Sequence, residues 1–230
     1  MKILITLLLV FCFAAIGLAQ ERIIQKAEFD SVMTEGGKHQ LKWKGEKYRM
    51  TVTTTSKALN RPQTDWASRM IFEYGPANEY HSVTTSAFGG KATPAKEFIK
   101  VGSSSYARSG DGSWGRIVDS PASAGQTEKP ETPTRVLTNE VEYRHLGAGS
   151  INDKPVQIYL KSERKTYETE KGEKFESDVK TRYWIGADGL FLKSELASEN
   201  RGTAVTSRNL ITTEWELDPT IKFTAPEVVQ

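Results

Sequence analysis

The sequence predicts a mainly β protein with antiparallel strand pairing, and three observations carry that reading. Apolar residues alternate with polar ones at period two along stretch after stretch. Gly-containing turns separate these stretches, which run to roughly ten residues each, as sequentially paired strands do. Helical periodicity surfaces only near the N-terminus.

Taken in order, the elements begin with a helix over Glu21 to Glu35, where Ile24, Ala27, Val32 and Met33 are loosely amphipathic and Gly36-Gly37 supplies a stop. Tyr48, Met50 and Val52 alternate in a first strand; Trp66, Met70, Phe72 and Tyr74 share a face in the next. Glu97–Val101, Ser105–Arg108 and Trp114–Val118 read as three short strands, the last two joined by Gly110-Asp111-Gly112. Ser120 to Thr134 carries three prolines and no apolar period, so it reads as a loop, either a plain connection or a flap over a cavity mouth. Beyond it, Val156, Ile158 and Leu160 open a strand towards Tyr167, and Lys171-Gly172 turns the chain. Phe175, Val179, Tyr183 and Ile185 carry it back. Gly186 to Gly189 forms a four-residue hairpin loop, Leu190, Leu192 and Leu196 continue, and Asn200-Arg201-Gly202 leads to a last strand from Val205 to Leu217.

With the hairpin registered so that Ile185 faces Leu190 and Tyr183 faces Leu192, one face gathers Phe175, Val179, Tyr183, Ile185, Leu190, Leu192, Leu196, Val205, Ile211, Trp215 and Leu217. The other carries Glu176, Asp178, Lys180, Arg182, Lys193, Glu195, Arg208, Glu214 and Glu216, with Trp184, Phe191 and Leu210 as exceptions. A sheet this one-sided must cover its apolar face by closing into a barrel, packing on a second sheet, or curling round a few helices. An outer-membrane barrel fits poorly, because no aromatic girdles are visible and the chain ends in Glu227-Val228-Val229-Gln230 without a terminal aromatic.

Met1 to Ala19 has the makeup of a secretory signal peptide: Lys2, an apolar run from Ile3 to Ile16, and small residues at Gly17 and Ala19 before Gln20. The run is too short to span a bilayer, so no transmembrane anchor is expected in the mature chain. The lone Cys12 lies within that leader, leaving residues 20–230 as a single cysteine-free domain. Lys and Arg total 31 against 29 Asp and Glu, a balance that gives no electrostatic case for nucleic acid or anionic membrane.

Chemistry-bearing patterns are missing. His39, His81 and His145 are too far apart in sequence for a metal motif. Gly112-Ser113-Trp114-Gly115 is not a nucleophile elbow, and Gly147-Ala148-Gly149 reads as a turn rather than a phosphate cradle. Glu214 and Glu216 read as a solvated stripe. No catalytic residue, metal or cofactor is expected, and the protein is read as a non-enzyme.

Three stretches resemble one family. Arg182-Tyr183-Trp184-Ile185 with Gly186-Ala187-Asp188-Gly189-Leu190 and Leu192-Lys193-Ser194-Glu195 is similar to the central hairpin of LolA-like and LppX/LprG-like periplasmic lipoprotein and lipid carriers. Trp215 to Pro219, Ile221-Lys222-Phe223 and Ala225-Pro226 resemble that superfamily's closing segment, and Glu97 to Gly102, Tyr106 and Asp111 to Trp114 its upstream one. The resemblance implies a curved, unclosed antiparallel sheet, a half-barrel wrapped over a few short helices, with an apolar cavity inside. It implies a carrier in the periplasm of a Gram-negative-type bacterium that shields lipid or lipoprotein acyl chains by non-covalent binding and release. Its partners would be lipid or an acylated lipoprotein, with envelope proteins as donor and acceptor. Tyr183, Ile185, Leu190, Leu192, Val205, Ile211 and Trp215 would line the cavity or its floor. The alternative is a LolA-like sensor or interaction scaffold with a filled core and an exposed partner surface.

Overall fold

The computed structural model describes residues 21–41, 43, 45–117, 135–169, 172–202 and 206–228. The expected leader (Met1 to Ala19), the expected strand end Val118, the Pro-rich stretch 120–134, Lys171 of the expected turn and Val205 lie outside the described residues.

The strands are β1 (Arg22–Ile23), β2 (Tyr48–Ala58), β3 (Trp66–Tyr74), β4 (Tyr80–Phe88), β5 (Lys91–Ala92), β6 (Lys96–Val101), β7 (Ser104–Ser109), β8 (Gly115–Ile117), β9 (Arg135–Ile151), β10 (Lys154–Glu168), β11 (Lys174–Gly186), β12 (Phe191–Arg201) and β13 (Thr206–Leu217). One α-helix, α1 (Lys26–Leu41), packs on them. All thirteen strands join one antiparallel sheet in the order β1-β9-β10-β11-β12-β13-β2-β3-β4-β6-β7-β8, with β5 beside β4. The sheet is open, β1 and β8 standing at its two ends. The expectation of a mainly β, unclosed antiparallel sheet is met. Two runs of neighbouring strands, β2 to β8 and β9 to β13, are stitched together where β13 pairs with β2 from Ser207↔Ala58 to Leu217↔Tyr48.

Register sorts the side chains, because residues directly opposite on neighbouring strands share a face. The rung Tyr159–Tyr183–Ser194–Thr213–Val52–Met70–Thr84 faces α1. The rung Trp184–Lys193–Glu214–Thr51–Ile71–Val83–Glu97–Arg108 faces away. Trp184 tolerates the charged face because Arg182 and Lys193 both reach over its ring, each 5.5 Å from the centroid.

The helix and the hairpin depart from the sequence reading. α1 runs straight through Gly36-Gly37 to Leu41. Gly36 is buried where a Cβ would stand 2.7 Å from Phe191 Cζ, so this glycine admits a ring rather than stopping a helix. In the hairpin, Ile185 pairs with Phe191 and Tyr183 with Ser194, not with Leu190 and Leu192. Leu192 is the extra residue of a β-bulge, which turns Phe191 onto the helix side. Gly147 and Gly149 lie within β9, not in a turn: the register shifts beside Gly147 (φ 97°), and Ile158 Cδ1 would be 2.9 Å from a Cβ at Gly149.

After β13 the chain crosses the charged face. Asp218 Oδ2 meets Arg49 Nη2 at 3.0 Å, Phe223 lies against Gly75, and Val228 bridges to Trp114 just before β8. Ile221 in this strap is only 5% exposed.

Candidate functional site

The helix-bearing face is an aromatic floor. Phe29 of α1 packs on Tyr143 and Tyr183 with ring centroids 4.9 and 6.0 Å away; Tyr183 meets Phe191, and Phe191 meets Trp215. Past the helix, Trp43 tilts onto Tyr48, which stacks on Tyr74 at 4.7 Å. Tyr74 continues through Tyr80 to Phe98. Apolar surroundings disfavour a phenolate, so burial pushes the Tyr48, Tyr159 and Tyr183 hydroxyls up and that of Tyr74 to about 12.

At one end of the sheet, lined by side chains from both faces, lies a cavity of about 550 Å³, within the roughly 300–1,000 Å³ usual for small-molecule sites. It opens between the β9–β10 and β11–β12 turns and the adjoining ends of β2 and β13. Trp43, Leu190, Leu192, Trp215 and Leu217 supply apolar wall; Arg49, Lys154, Asp188, Glu214 and Glu216 supply charge. Two backbone devices shape it. Asn152 and Asp153, both at positive φ (48° and 62°), make the tight β9–β10 turn. Gly189 (φ 79°) lets the ring of His39 close in, 3.1 Å from where a Cβ would be, and so ties the end of α1 to the hairpin.

The expected site residues are dispersed. Leu190, Leu192 and Trp215 line the cavity. Ile185 is core at 5% exposure, and Tyr183 sits beneath Phe29. Ile211 is half-buried opposite Leu196 on the helix side, and Val205 lies outside the described residues.

The opposite face holds an ion ladder that sequence reasoning missed. Arg49 Nη2 donates to Glu73 Oε1 (2.7 Å), Glu73 Oε2 lies 2.8 Å from His81 Nδ1, and His81 Nε2 lies 2.9 Å from Glu97 Oε1. Arg108 Nε donates to Glu97 Oε2 (2.6 Å), and the Arg108 guanidinium covers the Trp114 ring. Burial works against charge on Glu73 and Glu97, but the hydrogen bonds from His81 and the arginines outweigh it and hold both carboxyls below their ordinary value. The only sequence cue is the placing of Glu73 and His81 either side of a short turn. The ladder clamps β2, β3, β4, β6 and β7 and has no open coordination position. Among the described residues no group of three His, Cys, Asp or Glu side chains could hold a metal ion.

No protein-family model matches the chain, and no curated protein matches it. Among solved structures the chain is similar to one described as the KdgM porin in complex with disordered oligogalacturonate, at 6% identity over 72% of this chain and 98% of that one, with a TM-score of 0.17. So poor a superposition assigns neither fold nor function to this chain.

Proposed function

We propose that this protein is a periplasmic carrier that shields lipid or lipoprotein acyl chains by non-covalent binding and release, its sheet curled round α1 as a half-barrel. The observation that carries the reading is the aromatic floor and, at one end of its sheet, a cavity with an apolar wall and a charged margin. Burying an acyl chain against Trp43, Leu190, Leu192, Trp215 and Leu217 gains about 0.8 kcal/mol per CH₂. Lys154 at the margin suits an anionic headgroup, and Glu216 an amine. Nothing in the scheme requires covalent chemistry.

The experiment is native mass spectrometry of protein purified from a cell envelope without detergent, followed by organic extraction. A discrete added mass released as lipid or acylated peptide, and lost in Trp215→Ala, is the expected result. A protein that stays without cargo after incubation with envelope lipids overturns the carrier. The second reading, an interaction scaffold in the envelope, then stands on the outer edge of β9. There β1 pairs only with Arg144 and His145, and Val136 and Val141 are exposed.

A further inference from the structure

At the end of the sheet away from the cavity, three large apolar side chains stand in solvent. Leu59 is 51% exposed, Trp66 37% and Phe88 56%. Trp66 opens β3 and Phe88 closes β4, and the two are direct cross-strand partners on the helix-bearing side. Leu59 follows β2 at the same corner.

This lip is held in place rather than left loose. Asp65 ties both loops: its Oδ1 accepts the Ala58 N–H at 3.1 Å and its backbone carbonyl accepts the Gly89 N–H at 2.8 Å. The Leu59 N–H donates to the Thr206 carbonyl at 2.9 Å, anchoring the corner to β13. Gly89 and Gly90, both at positive φ, turn β4 tightly into β5, and a Cβ at Gly89 would stand 2.9 Å from the Gln63 carbonyl. The backbone that carries the apolar triad is therefore held in place.

Its flanks are basic. Arg61 and Lys91 are exposed, Lys91 directly opposite Phe88, and neither has an ion-pair partner among the described residues. Asp65 is the one acid in residues 56–69 and 88–92, and its carboxylate is engaged by the backbone. The whole-chain charge balance hides this local segregation.

We infer that the Leu59–Trp66–Phe88 lip seats on an anionic phospholipid surface, the three side chains entering the headgroup boundary while Arg61 and Lys91 meet lipid phosphates. Trp and Phe favour that boundary, and single cations near it attract anionic lipid. The inference stands apart from what the cavity holds, because adsorption to a surface and retained cargo are measured separately.

The test is flotation of the mature protein with vesicles of phosphatidylglycerol and phosphatidylcholine, against phosphatidylcholine alone. Binding to the anionic vesicles, weakened by salt, is expected, with the Arg61→Glu/Lys91→Glu variant reduced by about five-fold or more per charge. Trp66→Ser/Phe88→Ser should abolish it with circular dichroism unchanged. As a second readout, brominated lipid should quench tryptophan fluorescence in the wild type and lose that quenching in Trp66→Phe, which keeps the apolar ring. No adsorption to anionic vesicles overturns the inference and leaves the lip to a protein partner. Adsorption indifferent to the lip variants, or quenching retained in Trp66→Phe, overturns it by assigning the contact to another surface.

Discussion

Gly36 and the ring of Phe191 occupy one another's space: a Cβ on residue 36 would lie 2.7 Å from Phe191 Cζ and 2.9 Å from Cε2. The ring has no easy retreat, since Tyr183 and Trp215 pack on it. Gly36→Ala gains helix propensity of about 1 kcal/mol but meets an overpacking cost of about 1–3 kcal/mol. A net loss of stability is expected in urea denaturation. Gly37 next to it has nothing within 4 Å, so Gly37→Ala should stabilise by about 1 kcal/mol. Equal gains for both variants would mean that Phe191 yields freely and that the contact does not position α1.

Stability should fall in acid through the ladder. Glu73 and Glu97 have folded values below the ordinary 4.5, so the stability they contribute is present above that value and is lost as pH falls through the lowered ones. Glu73→Gln should cost about 1.5–3 kcal/mol at pH 7, the range for hydrogen bonds to charged groups. The gap between variant and wild type should narrow as pH drops below 4.5. Urea midpoints from pH 7 to 3 would measure it, and a gap independent of pH would rule the ladder out as a source of acid sensitivity.

The aromatic floor should act in alkali. Tyr74, raised from 10 to about 12 by burial and then by Tyr80 and Tyr48, contributes stability that is whole below pH 10 and lost as pH rises towards 12. Ultraviolet titration of the phenols should include one late component that disappears in Tyr74→Phe. An unchanged titration in that variant would place the late component elsewhere.

The strap after β13 should matter to the fold. Ile221 is 5% exposed, and Ile221→Ala should destabilise by about 2–4 kcal/mol, as buried aliphatic truncations do. Lys222→Ala, at an exposed neighbour, should change little. Thermal melts of both compare them, and a neutral Ile221→Ala would show that the strap is not docked.

The alternation along Phe175–Ile185 and Ile211–Leu217 was enough to assign both faces of β11 and β13, because one face is charged and a slip by one residue would bury those charges. Two long strands escape such reading, besides the two-residue β1 and β5. β4 is rich in Ser and Thr and has little contrast between its faces, while the bulge at Leu146 and the glycines of β9 break its period. The hairpin register failed for the same reason: one extra residue at Leu192 moves Phe191 inward, and no sequence period announces a bulge. Of the cavity, only Leu190, Leu192 and Trp215 were legible. Its charged margin comes from β2, the Lys154 turn and β13, which only the sheet order brings together. Arg49, Glu73, His81, Glu97, Arg108 and Asp218 likewise meet through pairings that no local pattern encodes.

The seam between β13 and β2 also governs how the molecule is assembled in time. Pairs such as Tyr48 with Leu217 are nearly the whole described chain apart, whereas the hairpins on either side join close neighbours. Contacts of such long range come at the largest loop-closure cost and slow the search for the native state. Each meander has its partners as soon as it is synthesised, but the seam waits for the final strand. Until then the unpaired edge of β2 stands open to the wrong neighbour, as any uncovered strand edge does.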